Sequence, residues 1–298
     1  RLLCVVILHL LVLVTLARQL ILARVRIKVR LKLTLRLEHV VLTVRAMANA
    51  IPETAVAHEW EVGPLAASLV ELGANLVLGD IEQGPLDAAV HALRDKGFNV
   101  IGVQGDVSVE SDVQALKEAA LEEFGGAHLI FNNAGVAAGP TIGTAKKVWD
   151  WVMKVNVDGV INGINVFVPH FLEQNEGHVV NTGSLAGLGG VPGMGAYCAS
   201  KFAVVGISES LFHELTMRGS QVGVSALCPG FVKTRIFESQ RNMPSDLRSY
   251  NESPDAKALN DLGSAAVNAG IDADIVAEAV ADAVLTKKFW ILTHMKAA

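Results

Sequence analysis

The chain has 298 residues, 51% of them hydrophobic and 18% charged, with three cysteines and a formal charge of −5. That length and apolar fraction supply a sizeable buried core and exclude both an intrinsically disordered chain and a small disulfide-stapled one. The net charge conceals a division: residues 1–46 hold nine Lys/Arg against one acid, Glu38, for +8, whereas the remainder holds sixteen Lys/Arg against twenty-nine acids, for −13.

Leu2 to Leu16 is almost unbroken apolar sequence, interrupted only by His9 and Thr15, and Leu20 to Ala23 follows Arg18 and Gln19. The run is long enough for a signal-type apolar core and short of the about 20 apolar residues of a membrane-spanning helix. Val25 to Leu37 then alternates apolar with mostly basic residues, formally a strand with one cationic face and also a low-complexity tract. Residues 1–46 have two readings. One is a membrane anchor whose basic flank keeps the following domain on the cytoplasmic side. The other, favoured by the lack of a cleavage motif or a full span, is sequence translated from upstream of a start at Met47, which gives a cytoplasmic protein. The expected division is an apolar and basic leader at 1–46 and one folded domain at 47–298.

Beyond Met47, apolar runs alternate with helical patterns, the signature of a parallel sheet covered by helices. Thr54 to Ala57 reads as a truncated first strand and Leu65 to Leu72 as the helix after it. Asn75 to Gly79 predicts a strand ending at Asp80, and Leu86, Val90 and Leu93 fall on one face of the next helix. Asn99 to Val103 is a strand ending near Asp106, and Ser108 is placed to cap a helix carrying Val113, Leu116 and Ala120. Leu129 to Phe131 leads into Asn132. A long helix is expected from Ala145 to Leu172, allowing for an end near Pro169, then a strand from Gly177 to Thr182. Tyr197 to Arg218 is helical, and Gln221 to Leu227 is a strand broken by Pro229 and Gly230. Phe237 to Asn268 has weak periodicity and scattered Pro and Gly, so it is expected to be a mobile insertion over a site. Asp272 to Leu285 restores a helix aligning Val276, Val280 and Val284, and Phe289 to Thr293 closes as a last strand.

Open α/β sheets bind ligands where strands hand over to helices, and four sets of residues stand there. Asp80 can accept hydrogen bonds from both hydroxyls of an adenosine ribose and would repel a 2′-phosphate; a lone Asp after a strand is more often a helix cap. Asp106, in Gly105-Asp106-Val107, can receive an adenine amino group, with a cap again as the plainer reading. Asn132-Asn133-Ala134-Gly135 joins small residues that admit a flat ligand to Asn side chains that lock a turn. Finally Ser184 precedes Tyr197 and Lys201, which at i and i+4 of one helix project together. A nearby ammonium favours phenolate and makes the tyrosine a usable acid or base.

Asp80, Gly105-Asp106-Val107, Asn132 to Gly135, Asn156, Ser184, Tyr197-Cys-Ala-Ser-Lys201 and Pro229-Gly230-Phe-Val-Lys-Thr234 occur in the order and spacing of the short-chain dehydrogenase/reductase family. Over about residues 65–294 the chain resembles its members. The resemblance implies an α/β fold, a Rossmann-type doubly wound parallel sheet in a single domain, and hydride transfer between a nicotinamide cofactor and a secondary alcohol or its carbonyl. Tyr197 would be the general acid for reduction and the base for oxidation, and Lys201 would hold the nicotinamide ribose. Ser184 would hydrogen-bond the substrate oxygen, and Asn156 would position water in a proton relay to Lys201. Asn133, Ala134 and Gly135 would line the cofactor, with Asp80, Asp106 and Val107 at its adenosine end. Pro229, Gly230, Val232 and Thr234 would meet the carboxamide end of the nicotinamide. Asp80 argues for NAD over NADP. A homodimer or homotetramer is also implied, through the long helix and the Tyr197 helix, with Val160, Ile161, Ile164, Val166 and Phe167 as the apolar set.

At one place the chain departs from the family's pattern. Members open with a strand and a T-G-x-x-x-G-x-G turn whose glycines bring a helix N-terminus to the pyrophosphate. Here Glu53 to Ala67 keeps only Gly63, and Glu59 and Glu61 would set negative charge beside a diphosphate. A local reading-frame error and a divergent member of weakened cofactor affinity both account for this, and the retained catalytic set favours the error. The alternative function is a regulator or scaffold that keeps the fold without productive cofactor binding. Met194 and Phe237 are the candidates for lining a substrate pocket, and a moderately hydrophobic alcohol or ketone is the expected substrate class. Cys4, Cys198 and Cys228 have no metal-ligand spacing, and His91, His170, His178 and His213 look like isolated surface or edge positions, so no metal site is expected. The acidic chain beyond residue 46 offers no basic aromatic surface to nucleic acid.

Overall fold

A computed structural model describes residues 39–43, 74–251 and 254–294. The chain divides after Leu37, and all of these residues belong to the unit from Glu38 to Ala298. Among the described residues, seven strands form one sheet: β1 (His39–Thr43), β2 (Asn75–Asp80), β3 (Val100–Gln104), β4 (Leu129–Asn132), β5 (His178–Thr182), β6 (Gly223–Leu227) and β7 (Trp290–Ile291). They lie in the order β3-β2-β1-β4-β5-β6-β7 and every pair is parallel. Continuous apolar runs such as Leu76-Val-Leu and Leu129-Ile-Phe suit strands covered on both faces, and these six side chains are buried. The strand order reverses between β1 and β4. There Thr43 is in register with both Gly79 and Asn132, which brings the C-terminal ends of β1, β2 and β4 level.

The central strand β1 lies ahead of Met47, so the sheet reaches back into the segment read as a leader. Its sequence, His39-Val-Val-Leu-Thr, is the continuous type of a central parallel strand and differs from the strict alternation that precedes it. A first strand at Thr54 to Ala57, the helix at Leu65 to Leu72 and the turn around Gly63 fall outside the described residues.

Apolar spacing sets the helices that flank the sheet. Helix α1 (Gln83–Arg94) buries Leu86, Val90 and Leu93, and α2 (Glu110–Phe124) buries Val113, Leu116 and Ala120, as their spacing requires. Val109 rather than Ser108 occupies the N-cap of α2, because the Ser108 amide turns back to donate to Asp106 Oδ1 at 2.9 Å. The long helix is α3 (Lys146–Met153), a π-helical turn (Lys154–Asp158) and α4 (Gly159–Gln174). Pro169 sits inside α4 and does not end it. In the turn before the proline, the Val166 carbonyl accepts Lys117 Nζ at 3.2 Å. Val160, Val166 and Phe167 are spent in the chain's own core, which leaves Ile161, 37% exposed, as the open member of the expected contact set.

Helix α5 (Gly195–Met217) follows β5. The stretch expected to be an irregular insertion folds as two 3-10 segments (Ile236–Asn242 and Ser245–Asn251) and α6 (Pro254–Asn268). It is anchored by Met243 and Leu247 in the main core and by Ser239, whose Oγ accepts the Ala137 amide at 3.0 Å. Helix α7 (Ala273–Thr286) buries Val280 and Val284 and leads to β7, which is shorter than the run of residues 289–293 suggested. No helix among the described residues is long and apolar enough to cross a membrane.

His178 is a correction to the sequence reading, since it is buried within β5 rather than lying at an edge. Its Nε2 is 2.8 Å from Ser225 Oγ, and that hydroxyl donates to the Lys288 carbonyl at 2.6 Å. With the serine hydrogen spent there, Nε2–H is the donor and the ring is neutral. Burial, assisted by the charge of Lys287, pushes the His178 pKa from 6.5 down to about 3. Between those values the unfolded chain binds a proton that the folded chain refuses. The contribution is therefore whole above the unfolded value and is lost as pH falls toward the folded one. Urea stability measured from neutral to mildly acid pH is expected to fall through this group by up to about 1.4 kcal/mol per pH unit. His178→Gln should flatten that part of the profile, and parallel profiles for the two proteins would contradict the assignment.

Candidate active site

The C-terminal ends of β4, β5 and β6 and the first turns of α5 enclose a cavity of about 400 Å³. Position four apart on α5 puts Tyr197 and Lys201 on the same wall of it. Lys201 is 3% exposed. Its Nζ donates to the carbonyl of Thr182, the last residue of β5, at 2.7 Å and lies 5.5 Å from the Tyr197 ring centroid. A buried ammonium is thus pinned beside the phenol by a main-chain acceptor. Ser184, two residues past β5, caps the short 3-10 turn Leu185–Gly187 by accepting the Ala186 amide at 3.1 Å. Its own hydrogen has only a 3.4 Å contact with the Pro229 carbonyl, weak enough to yield to a ligand oxygen in the cavity.

Asn156 stands in the π-helical turn, a distortion common at functional sites, and is 1% exposed. Its Oδ1 accepts the Val136 amide at 2.7 Å, and its Nδ2 donates to the Val136 carbonyl and to Ser200 Oγ, both at 2.9 Å. Ser200 Oγ in turn donates to the Tyr197 carbonyl at 2.7 Å. Both amide hydrogens are committed, so the side chain braces the loop after β4 against α5. The same clamp fixes Gly135. A Cβ there would sit 3.4 Å from Lys201 Nζ and 3.6 Å from Asn156 Oδ1, so the bare backbone keeps this wall open.

Of the residues singled out in the sequence, Asn133, Gly135, Ser184, Met194, Tyr197, Lys201, Pro229, Gly230, Val232, Thr234 and Phe237 come together on the cavity. Asn133 is locked in place, its Oδ1 accepting the Thr182 hydroxyl at 2.7 Å. Asp80, Asp106, Val107, Ala134 and Asn156 stand off it. Asp80 is buried at the end of β2, where one carboxylate oxygen accepts the Glu82 amide at 2.7 Å. Asp106 closes its own turn: Oδ1 accepts Ser108 N–H, and its amide donates to Asp112 Oδ2 at 2.9 Å. Val107 is a packing residue whose side chain fills the space over Gly159 and whose carbonyl accepts Asn162 Nδ2 at 2.8 Å. Ala134 is buried within the loop after β4.

Sequence reasoning missed Thr182, Ser239 and His294, which also line the cavity. Thr182 carried a signal, a polar residue at the C-terminal end of a parallel strand. His294 carried none: its Nδ1 accepts the Gly230 amide at 3.0 Å across 64 residues of chain, and its Nε2 lies 2.9 Å from the Phe231 carbonyl. Cys198, next to Tyr197, is buried and accepts the Val191 amide at 3.3 Å, a structural thiol. Burial pushes the Cys228 thiol up and keeps it protonated.

A nicotinamide cofactor fits the described end of this site. The open backbone at Gly135, the buried Lys201 ammonium and the turn after β6 face one cavity, and Asp80 lies at the end of β2 beside the point where the strand order reverses. The turn that would meet the pyrophosphate lies outside the described residues. Among the described residues no group of three or more His, Cys, Asp or Glu side chains is arranged to hold a metal ion.

The short chain dehydrogenase family model matches residues 64–245. The CLA biosynthesis dehydrogenase/reductase of Lactiplantibacillus plantarum is 30% identical over 236 residues, 77% of this chain and 82% of that protein. The 3beta-hydroxysteroid dehydrogenase 2 of Eggerthella lenta is 36% identical over 180 residues, 59% of this chain and 68% of that one. A solved short chain dehydrogenase/reductase from Burkholderia phymatum, in complex with NAD, matches with a TM-score of 0.77 at 41% identity, covering 87% of this chain and 90% of that one.

Proposed function

The chain belongs to the short-chain dehydrogenase family, and from that premise we propose that it interconverts a secondary alcohol and its carbonyl compound with Tyr197 as the proton-transferring group. Dehydrogenase or reductase chemistry with a nicotinamide cofactor comes with the family. A nicotinamide cofactor, when bound, would supply or accept the hydride. The observation that carries the reading is the Lys201 ammonium, buried and held 5.5 Å from the Tyr197 ring on the wall of one cavity with Ser184. An ammonium so placed stabilises negative charge on the phenol oxygen. Tyr197 then donates its proton to a substrate oxygen in reduction and takes it back in oxidation. Ser184 turns its weakly held hydrogen to the same oxygen, where charge develops. Asn156 acts as a positioning residue through Val136 and Ser200, and Gly135, Pro229, Gly230, Val232 and Thr234 form the cofactor's wall.

Incubating the full chain with NAD and a set of secondary alcohols, and with reduced cofactor and ketones, should give turnover read by nicotinamide absorbance. Failure both to turn over and to bind NAD at millimolar concentration would hand the chain to the scaffold reading, which the lost glycine turn favours. We further assign the preference for NAD to Asp80. Asp80→Asn retains an acceptor for the Glu82 amide and removes the charge. One charge beside a phosphate amounts to ~1 kcal/mol even in water, so the NAD-to-NADP ratio of kcat/KM should drop by about fivefold or more. An unchanged ratio would remove Asp80 from cofactor discrimination. A homodimer or homotetramer accords with Ile161 on α4 and Phe202 on α5, 37% and 47% exposed, and light scattering showing monomer alone would contradict it.

A further inference from the structure

Beside the reaction cavity lies a second, smaller one of about 120 Å³. Val191, Met194, Phe231 and Phe237 line both, so the two are chambers on either side of one apolar partition. The far wall of the smaller chamber is α6, whose Leu259, Gly263 and Ala266 fall on one helical face, and its floor is the loop after β4 from Ala137 to Pro140. Among the described residues no charged side chain lines it. Its two amide side chains are turned on each other, Gln240 Nε2 donating to Asn260 Oδ1 at 3.3 Å.

Two glycines make the partition fit. A Cβ at Gly263 would collide with the Phe237 ring, which therefore rests directly on the backbone of α6. A Cβ at Gly193, whose φ is +78°, would lie 2.8 Å from Leu259 Cδ1. Resting on the reading of Tyr197 as the reacting end, we infer that the substrate is an uncharged secondary alcohol or ketone with an apolar tail, and that the tail passes between Met194 and Phe237 into the chamber under α6. A carboxylate or phosphate carried on that tail would be taken out of water with no cation among the described lining residues to meet it. Of the cations on the reaction cavity, Lys201 is held by Thr182, and Arg235 is paired with Glu238.

The test is a series of straight-chain methyl ketones and the matching alcohols on the full chain. For the unaltered protein kcat/KM should rise about fourfold per added methylene until the chamber is filled, then level off, and a terminal carboxylate should cancel the gain. Ala266→Phe fills the chamber from α6, away from Tyr197 and Ser184. It should abolish the dependence on chain length while leaving the shortest substrate within about twofold of its original kcat/KM. The same ketone series is followed by thermal shift, which needs no turnover. A shift that grows with chain length in the unaltered protein and not in Ala266→Phe supports the tail chamber even where no substrate reacts, in which case the catalytic reading alone fails. Turnover without dependence on chain length, or a dependence that survives Ala266→Phe, overturns the chamber and leaves the catalytic reading standing.

Discussion

Tyr197→Phe should lower kcat by about a thousandfold or more while NAD binding stays within about twofold of the unaltered chain. The substitution removes one oxygen and keeps the ring, so the wall of the cavity and the 5.5 Å placement of Lys201 are preserved, and Lys201 retains its bond to the Thr182 carbonyl. Positioned proton transfer supplies about a hundred- to ten-thousandfold in rate, which is roughly 3–5 kcal/mol of barrier. That loss falls on the transition state alone, so kcat and kcat/KM should drop together while KM changes little. Ser184 remains to polarise the carbonyl, which leaves a measurable residue of activity rather than none. Turnover of a secondary alcohol beside a calorimetric NAD titration separates the terms. Undiminished turnover in the variant would end the assignment of Tyr197, and lost NAD binding would show that the ring rather than the proton matters.

The proposed reacting end of the site was legible in the sequence because its parts follow local rules. Tyr197 and Lys201 share a face because they are four apart on α5, and Ser184 stands where β5 has just ended. What stayed hidden depends on long-range contact or competing partners. Asp106 is a plausible ligand-binding carboxylate by position, and its Oδ1 also accepts the Ser108 amide, a turn-closing bond that the sequence reading offered as its plainer role. The bracing of Val136 and Ser200 by Asn156 spans 20 and 44 residues of chain and has no local signal. β1 escaped because a basic, alternating tract runs straight into it, and the boundary drawn at Met47 left it on the wrong side. Pro169 reads as a helix stop by itself, but the packing of Val166, Phe167 and Phe171 on either side of it holds α4 together through Gln174. His178 looks like an edge histidine because its partners, Ser225 and Lys288, come from the next strand and from the turn before β7.

Gly187→Ala should cost about 1–3 kcal/mol of stability and lower kcat by about 10–100-fold, although residue 187 touches no reacting atom. A Cβ at this position would stand 2.6 Å from the Lys201 carbonyl oxygen and 2.8 Å from its carbon, both main-chain atoms of α5 with no flexible end to swing away. Ordinary contact begins at 3.4 Å, so the turn Leu185–Gly187 and α5 must part by a large fraction of an ångström. Ser184 belongs to that turn: its Oγ accepts the Ala186 amide, and its carbonyl accepts the Gly187 amide at 2.8 Å. Tyr197 and Lys201 belong to α5. The methyl group therefore drives the hydroxyl proposed to polarise the substrate away from the phenol proposed to protonate it, and a misplacement near 1 Å can cost about a hundredfold. Gly206→Ala on the same helix is the control, since a Cβ there meets nothing within 4 Å; in an exposed helical position it should stabilise by about 0.5–1 kcal/mol and leave kcat alone. Equal kcat values for the two variants would show that the spacing between the Ser184 turn and α5 does not set the rate.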